Sequence, residues 1–166
     1  MYDLNDVENV AKELIKRGVD VLDVLLSVLE KEDPNEAIRE RINLAEKYLR
    51  ECHEYLNKGD PVQASEKAYK AAEEVVKALA AKFRTAEYNE ALREGRWYTY
   101  LLSRVSKTLT SQLGDWVSDG WNAAYDLHVW GFHEGKLSVD HVKVGIKKIE
   151  RMLEEAKRQF LPDIVK

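Results

Sequence analysis

The strongest constraint in this chain is a helix start written into it twice. Asp33-Pro34-Asn35-Glu36 and Asp60-Pro61-Val62-Gln63 each set an N-cap acceptor, a proline at the first helical position and a capping-box partner in order. After the first start, Ile38, Ile42, Ala45, Leu49, Cys52 and Leu56 alternate spacings of four and three, which makes one apolar seam. Gly59 supplies a left-handed stop, so a helix is predicted over roughly residues 34–58. The second start carries Ala64, Ala68, Ala71, Val75 and Leu79 on one stripe, and alanines let a neighbouring helix come close. The two read as an antiparallel hairpin.

The same reasoning carries down the chain. A short segment from Thr85 to Glu94 ends at Gly95, and Tyr98, Leu101, Leu102, Val105, Leu109 and Leu113 mark a third bundle helix. Gly114-Asp115 is expected to end that helix and cap a fourth, which presents Val117, Trp121, Ala124 and His128, with Gly120 weakening its first turn. Ser138 caps the last helix, with Leu137 and Val142 placed as a staple and Val142, Ile146, Ile149, Leu153, Ala156 and Phe160 repeating the seam. Three prolines and no alternating Val/Thr segment leave little room for a sheet. The fold class is therefore all-α, an up-and-down antiparallel bundle over residues 34–166.

Residues 1–33 form an N-terminal two-helix extension, with Leu4, Val7, Ala11 and Leu14 on one amphipathic helix and Gly18 before the next. Val19 to Leu29 is apolar on nearly all sides, so it must be covered by the bundle or by a second subunit. This stretch is interrupted by Asp20 and Asp23 and falls short of the about 20 residues that cross a bilayer, so no membrane span is expected. The opening MYDLNDVENV has no signal-peptide character and the single cysteine, Cys52, cannot form an intramolecular disulfide, which points to a cytoplasmic protein. A net charge of -4 argues against coating nucleic acid by bulk attraction, so any RNA contact is local.

The stretch YLNKGDPVQASEKAYKAAEEVVKALAAKF resembles the HEPN superfamily, the higher eukaryotes and prokaryotes nucleotide-binding domain. With AAYDLHVWGFHEGKLSVDHV added, the chain looks more specifically like the archaeal PaREP family, a HEPN-like group, over roughly residues 34–160. The resemblance implies a helical bundle, a homodimer, and one of two functional classes. Many HEPN domains are ribonucleases that bring together an Arg and a His at a short fixed interval. Others are non-catalytic and serve as the nucleotide- or substrate-binding partner of a small nucleotidyltransferase. The places where the Arg should precede His128 hold Trp121, Asn122 and Ala123, and those before His133 hold Asp126, Leu127 and His128. Only His141 has a cation at such an interval, Lys136, and Lys lacks the fork with which Arg grips phosphate. The resemblance therefore implies a non-catalytic module binding a nucleotide, an RNA segment or a protein partner, without a cofactor. A divergent ribonuclease using His128 with Asn122 or Tyr125, and a purely structural adaptor, are the alternatives.

Candidate side chains follow from chemistry. His128 shares the apolar stripe of the fourth helix, where an imidazole hydrogen-bonded inside the bundle is the plain reading and a general base the functional one. The segment from Gly95 to Gly114 holds Arg104 and Lys107 one turn apart with no acid, beside Ser103, Ser106 and Ser111, a surface suited to phosphate. Arg104, Lys107, Ser103 and His128 are thus the candidate ligand-binding residues. Among Trp97, Trp116, Trp121 and Trp130, core packing is the general reading, with Trp97 and Trp130 expected to be exposed. No metal site is expected, because His128 and His133 lie five apart and would not share a helical face. With the motif Arg missing, purified protein should not cleave labelled RNA faster than buffer does, and robust cleavage abolished by His128→Ala would show otherwise.

Overall fold

The computed structural model describes residues 1–160, in which no strand occurs. Eight α-helices follow in order: α1 (Leu4–Lys16), α2 (Val21–Glu32), α3 (Pro34–Asn57), α4 (Pro61–Lys82), α5 (Ala86–Glu94), α6 (Thr99–Leu113), α7 (Asp115–Asp126) and α8 (Val139–Phe160). A π-helical segment, Leu127–His133, continues α7. Both expected proline starts form. Asp33 accepts from the Glu36 N–H at 3.1 Å, and Asp60 from the Gln63 N–H at 3.0 Å. The reciprocal half of each capping box is not made, because the Asp33 N–H donates to Leu29 and the Asp60 N–H to Tyr55, each closing the preceding helix. Thr85 caps α5 through the Tyr88 N–H, so the segment before Gly95 is itself a helix. Asp115 does not cap α7; Gly114 holds that position without a side chain, and Asp115 lies in the first turn.

The α3 seam is buried from Ile38 to Leu56, and each such Leu or Ile contributes about 1.5–3 kcal/mol over its exposed state. Cys52 lies in that seam, where burial pushes its thiol up to about 12. Helix α4 is buried on more than the expected stripe. Ala72, Val76, Ala78 and Ala80 are closed off as fully as Ala64 and Val75, because α3, α6, α7, α8 and the π-helical segment all pack around it. Small side chains are what make that crowding possible. At Gly131 an added Cβ would sit 2.6 Å from the Ser65 Cβ, and at Gly120 it would sit 2.7 Å from the Met152 Cβ. The glycine read in sequence as a weak first turn is therefore the point where α7 and α8 touch.

The interior also holds charge. Arg41 on α3 is fully buried, and its Nε donates to Glu30 on α2 while Nη1 donates to Glu74 on α4, both at 2.8 Å. Lys77, also on α4, donates to Asp23 on α2 at 3.0 Å. Burial alone would lower the Arg41 pKa, but Glu74 and Glu30 hold it above its ordinary value. Asp23 is held below the usual carboxylate range, because Lys77 and Arg41 outweigh its desolvation. Glu73, whose carboxylate lies 4.0 Å from Lys77, is pushed up to about 7 by burial, with Glu74, Glu66 and Asp23 adding to the shift and Lys77 opposing it. These contacts tie α2 to the hairpin through its polar side, and Leu26 and Glu30 are the residues of α2 that are buried.

Two measurements check this account. Arg41→Met should lower the free energy of unfolding in urea by about 3–5 kcal/mol, since it leaves carboxylates buried without a partner, and adding Glu30→Leu and Glu74→Met should recover much of that loss. Gly131→Ala should cost about 1–3 kcal/mol by overpacking, and the cost should shrink in a Ser65→Gly background because the clashing atoms are gone.

Candidate functional site

The π-helical segment decides which side chains meet. Its backbone bonds run from residue i+5 to residue i, as in the Glu134 N–H to the Val129 carbonyl at 2.9 Å, so residues five apart come into line. His128 and His133 consequently face each other with their Nε2 atoms 3.1 Å apart. The sequence argument that separated them assumed α-helical spacing, and the wider turn overturns it. Among the described residues, no group of three or more His, Cys, Asp or Glu side chains is gathered to hold a metal ion.

His128 is fixed from three sides. Its Nδ1 lies 2.9 Å from Glu66 Oε2, its ring stacks on Tyr69 at 3.9 Å between centroids, and Nε2 meets His133. A carboxylate only accepts hydrogen bonds, so Nδ1 carries a proton toward Glu66, and the Nε2 atoms of His128 and His133 share one hydrogen bond between them. Burial raises the pKa of the supporting Tyr69 phenol, with Glu73 and Glu66 adding to it. Trp121 packs against Tyr69 at 5.7 Å, and its indole N–H donates to Ser103 at 3.2 Å. The arrangement orients the imidazole, with Nδ1 committed to Glu66. The side chain of His128 is 22% exposed, so the ring edge remains within reach of solvent.

The other expected residues lie apart from the histidine pair. Arg104 is exposed on α6 and pairs with Glu90 of α5 at 3.5 Å, an acid absent from its own helix. Ser103 is occupied by Trp121, while Ser106 and Ser111 donate back to carbonyls of their own helix. Lys107 is exposed. Trp97 is buried at 8% exposure, because the left-handed turn at Gly95 sends the chain back against α2 and α5. Trp130 is 52% exposed, as expected.

Trp130 lines a cleft that sequence reasoning missed. About 420 Å³ in volume, it runs between the π-helical segment and α8, with Asp126, His141 and Lys148 also on its walls. His141 Nδ1 lies 2.9 Å from the Ser138 hydroxyl and 3.3 Å from the Ser138 N–H, so that side of the ring is held by the helix cap and Nε2 is the nitrogen left for other partners. Gly145 belongs to the same wall, where an added Cβ would lie 3.3 Å from Leu127. The signal was divided in sequence between two elements joined by a loop, so no spacing rule could connect Trp130 to Lys148.

Comparison with known proteins places this geometry. A search of curated proteins gives no match. A crystal structure of a protein from Sulfolobus solfataricus is similar at 38% identity and a TM-score of 0.65, covering 70% of this chain and 95% of that one. A solution structure of the same structural-genomics target is similar at 37% identity and a TM-score of 0.63, covering 70% of this chain and 90% of that one. The model of the archaeal PaREP1/PaREP8 family matches residues 40–153, from within α3 to within α8. That span takes in the α4 core, the paired histidines and the Trp130 cleft, and the chain belongs to the archaeal PaREP1/PaREP8 family.

Proposed function

We propose that the chain is a non-catalytic, homodimeric HEPN-like module that binds a nucleotide or the phosphate-bearing end of an RNA segment. The observation that carries this reading is the exposed Trp130 indole on a cleft shared with Lys148, His141 and Asp126. An indole face stacks a base, an ammonium and an imidazole N–H meet phosphate, and a carboxylate accepts from a ribose hydroxyl or an exocyclic amine. Its volume falls in the range of about 300–1,000 Å³ typical of small-ligand sites. The Arg104, Lys107 and Ser103 surface is the competing position for phosphate. There Arg104 already faces Glu90 and Ser103 already takes a hydrogen bond, so less of that surface is open to a ligand. The same chemistry would suit a substrate-binding partner of a nucleotidyltransferase.

A second reading has one observation behind it. Glu66 orients His128 through Nδ1 and so points its Nε2 toward His133 and the ring's exposed edge, the orientation a general base needs once His133 gives way, which favours a divergent ribonuclease. The missing Arg weighs against it.

Titration calorimetry with a panel of nucleotides and short RNAs separates these possibilities. Trp130→Ala and Lys148→Ala should each weaken binding by about 1–3 kcal/mol, while Arg104→Ala should leave it unchanged. Loss of binding in Arg104→Ala alone would move the site to α6. No binding by any member of the panel would leave the structural adaptor as the better account.

A further inference from the structure

Eleven of fifteen strongly exposed large apolar side chains among the described residues belong to residues 1–28; the other four are Tyr100, Tyr125, Trp130 and Val144. Helix α1 buries none of its residues. Helix α2 turns Asp23 and Glu30 inward to Lys77 and Arg41, and so leaves Leu25 54% and Val28 55% exposed. Its inward side carries Asp23, Leu26 and Glu30, and most of its other apolar residues are outside. Between the two helices lies a groove of about 360 Å³ whose walls include Val7, Val10, Leu14, Val21 and Leu25. Apolar surface this concentrated is not left to water in a stable protein.

The charge gradient along α1 says what covers that surface. The first half with its cap carries Asp3, Asp6 and Glu8, and the second half with its C-cap carries Lys12, Glu13, Lys16 and Arg17. Within the helix Lys12 meets Glu8, and Lys16 and Arg17 meet Glu13, which leaves Asp3 and Asp6 without a cation among the described residues at one end and a net positive charge at the other. A second copy laid antiparallel across α1, with Val10 near the two-fold axis, sets the acidic half of each helix against the basic half of the other. Parallel packing would set like against like. Two-fold pairing of identical faces is also the commonest closed assembly, and it lets each copy fill the groove of the other. An anionic lipid surface fits less well, since Asp3, Asp6 and Glu8 border the same apolar face.

We infer that the N-terminal hairpin is the homodimer interface, formed by antiparallel packing of α1 on α1 of a second copy and flanked by the leucines and valines of α2. This rests on the homodimer of the proposed function and adds its location and direction. The interface lies outside residues 40–153, which the family model matches, so it is an addition to the shared bundle.

The test combines association and crosslinking on the full chain. Light scattering should report twice the chain's mass for wild type. Val10→Asp and Leu25→Asp, both at exposed positions, should each weaken association at least about a hundredfold with helical circular dichroism unchanged. Under mild oxidation Val10→Cys should crosslink to itself, and Asp3→Cys should crosslink to Arg17→Cys in a mixture but not to itself. Cys52 is buried and stays silent. A wild-type dimer that survives both aspartate variants would place the interface elsewhere on the bundle, keeping the homodimer and overturning this inference. A wild-type monomer would overturn both, including one that floats with anionic vesicles. Self-crosslinking of Asp3→Cys would overturn the antiparallel arrangement.

Discussion

The Arg41 guanidinium holds the first half of this molecule in register. It is fully enclosed, and it reaches carboxylates on the helices before and after its own, so α2, α3 and α4 cannot shift independently without separating buried charges. Such a cluster is poor at raising stability compared with an apolar core, because desolvation offsets most of the attraction. It is better at excluding alternatives. Had α2 been docked by its leucines, several rotations about its axis would have served about equally well; carboxylates seven residues apart on one face allow one.

That constraint has an outward effect. Because Asp23, Leu26 and Glu30 occupy the inner side of α2, its remaining apolar residues have nowhere to go but outside. The exposed apolar face of α1 and α2 is thus a direct result of how the core is fastened. Helix α4 presents the opposite case, where alanines let six neighbouring elements crowd against one helix and leave almost no side uncovered.

Much of this was legible in the chain. Asp33-Pro34 and Asp60-Pro61 announce α3 and α4, and the seam from Ile38 to Leu56 runs inward along its whole length, because local capping and periodicity are decided within a few residues. The polar interior was not legible from hydropathy, which treated Val19 to Leu29 as apolar all round. A signal existed in the seven-residue spacing of Asp23 and Glu30 and in Arg41 lying beside the seam residue Ile42. The candidate site was less accessible still. Spacing rules for His128 and His133 presuppose an α-helix, and the Trp130 cleft joins residues from two elements whose contact is settled by packing alone. Trp97 failed for a related reason: the direction of a chain after a left-handed glycine depends on what it lands against.

The π-helical segment carries a consequence for how this protein compares with its relatives over time. A turn closed between residues five apart holds one residue more than an α-helical turn closed between residues four apart. Loss of a single residue there would restore the ordinary turn and rotate one histidine away from the other, with both still present in the sequence. Across the family, the meeting of these two rings is therefore a property of segment length as much as of residue identity, and two members with the same letters aligned can differ in whether the rings touch.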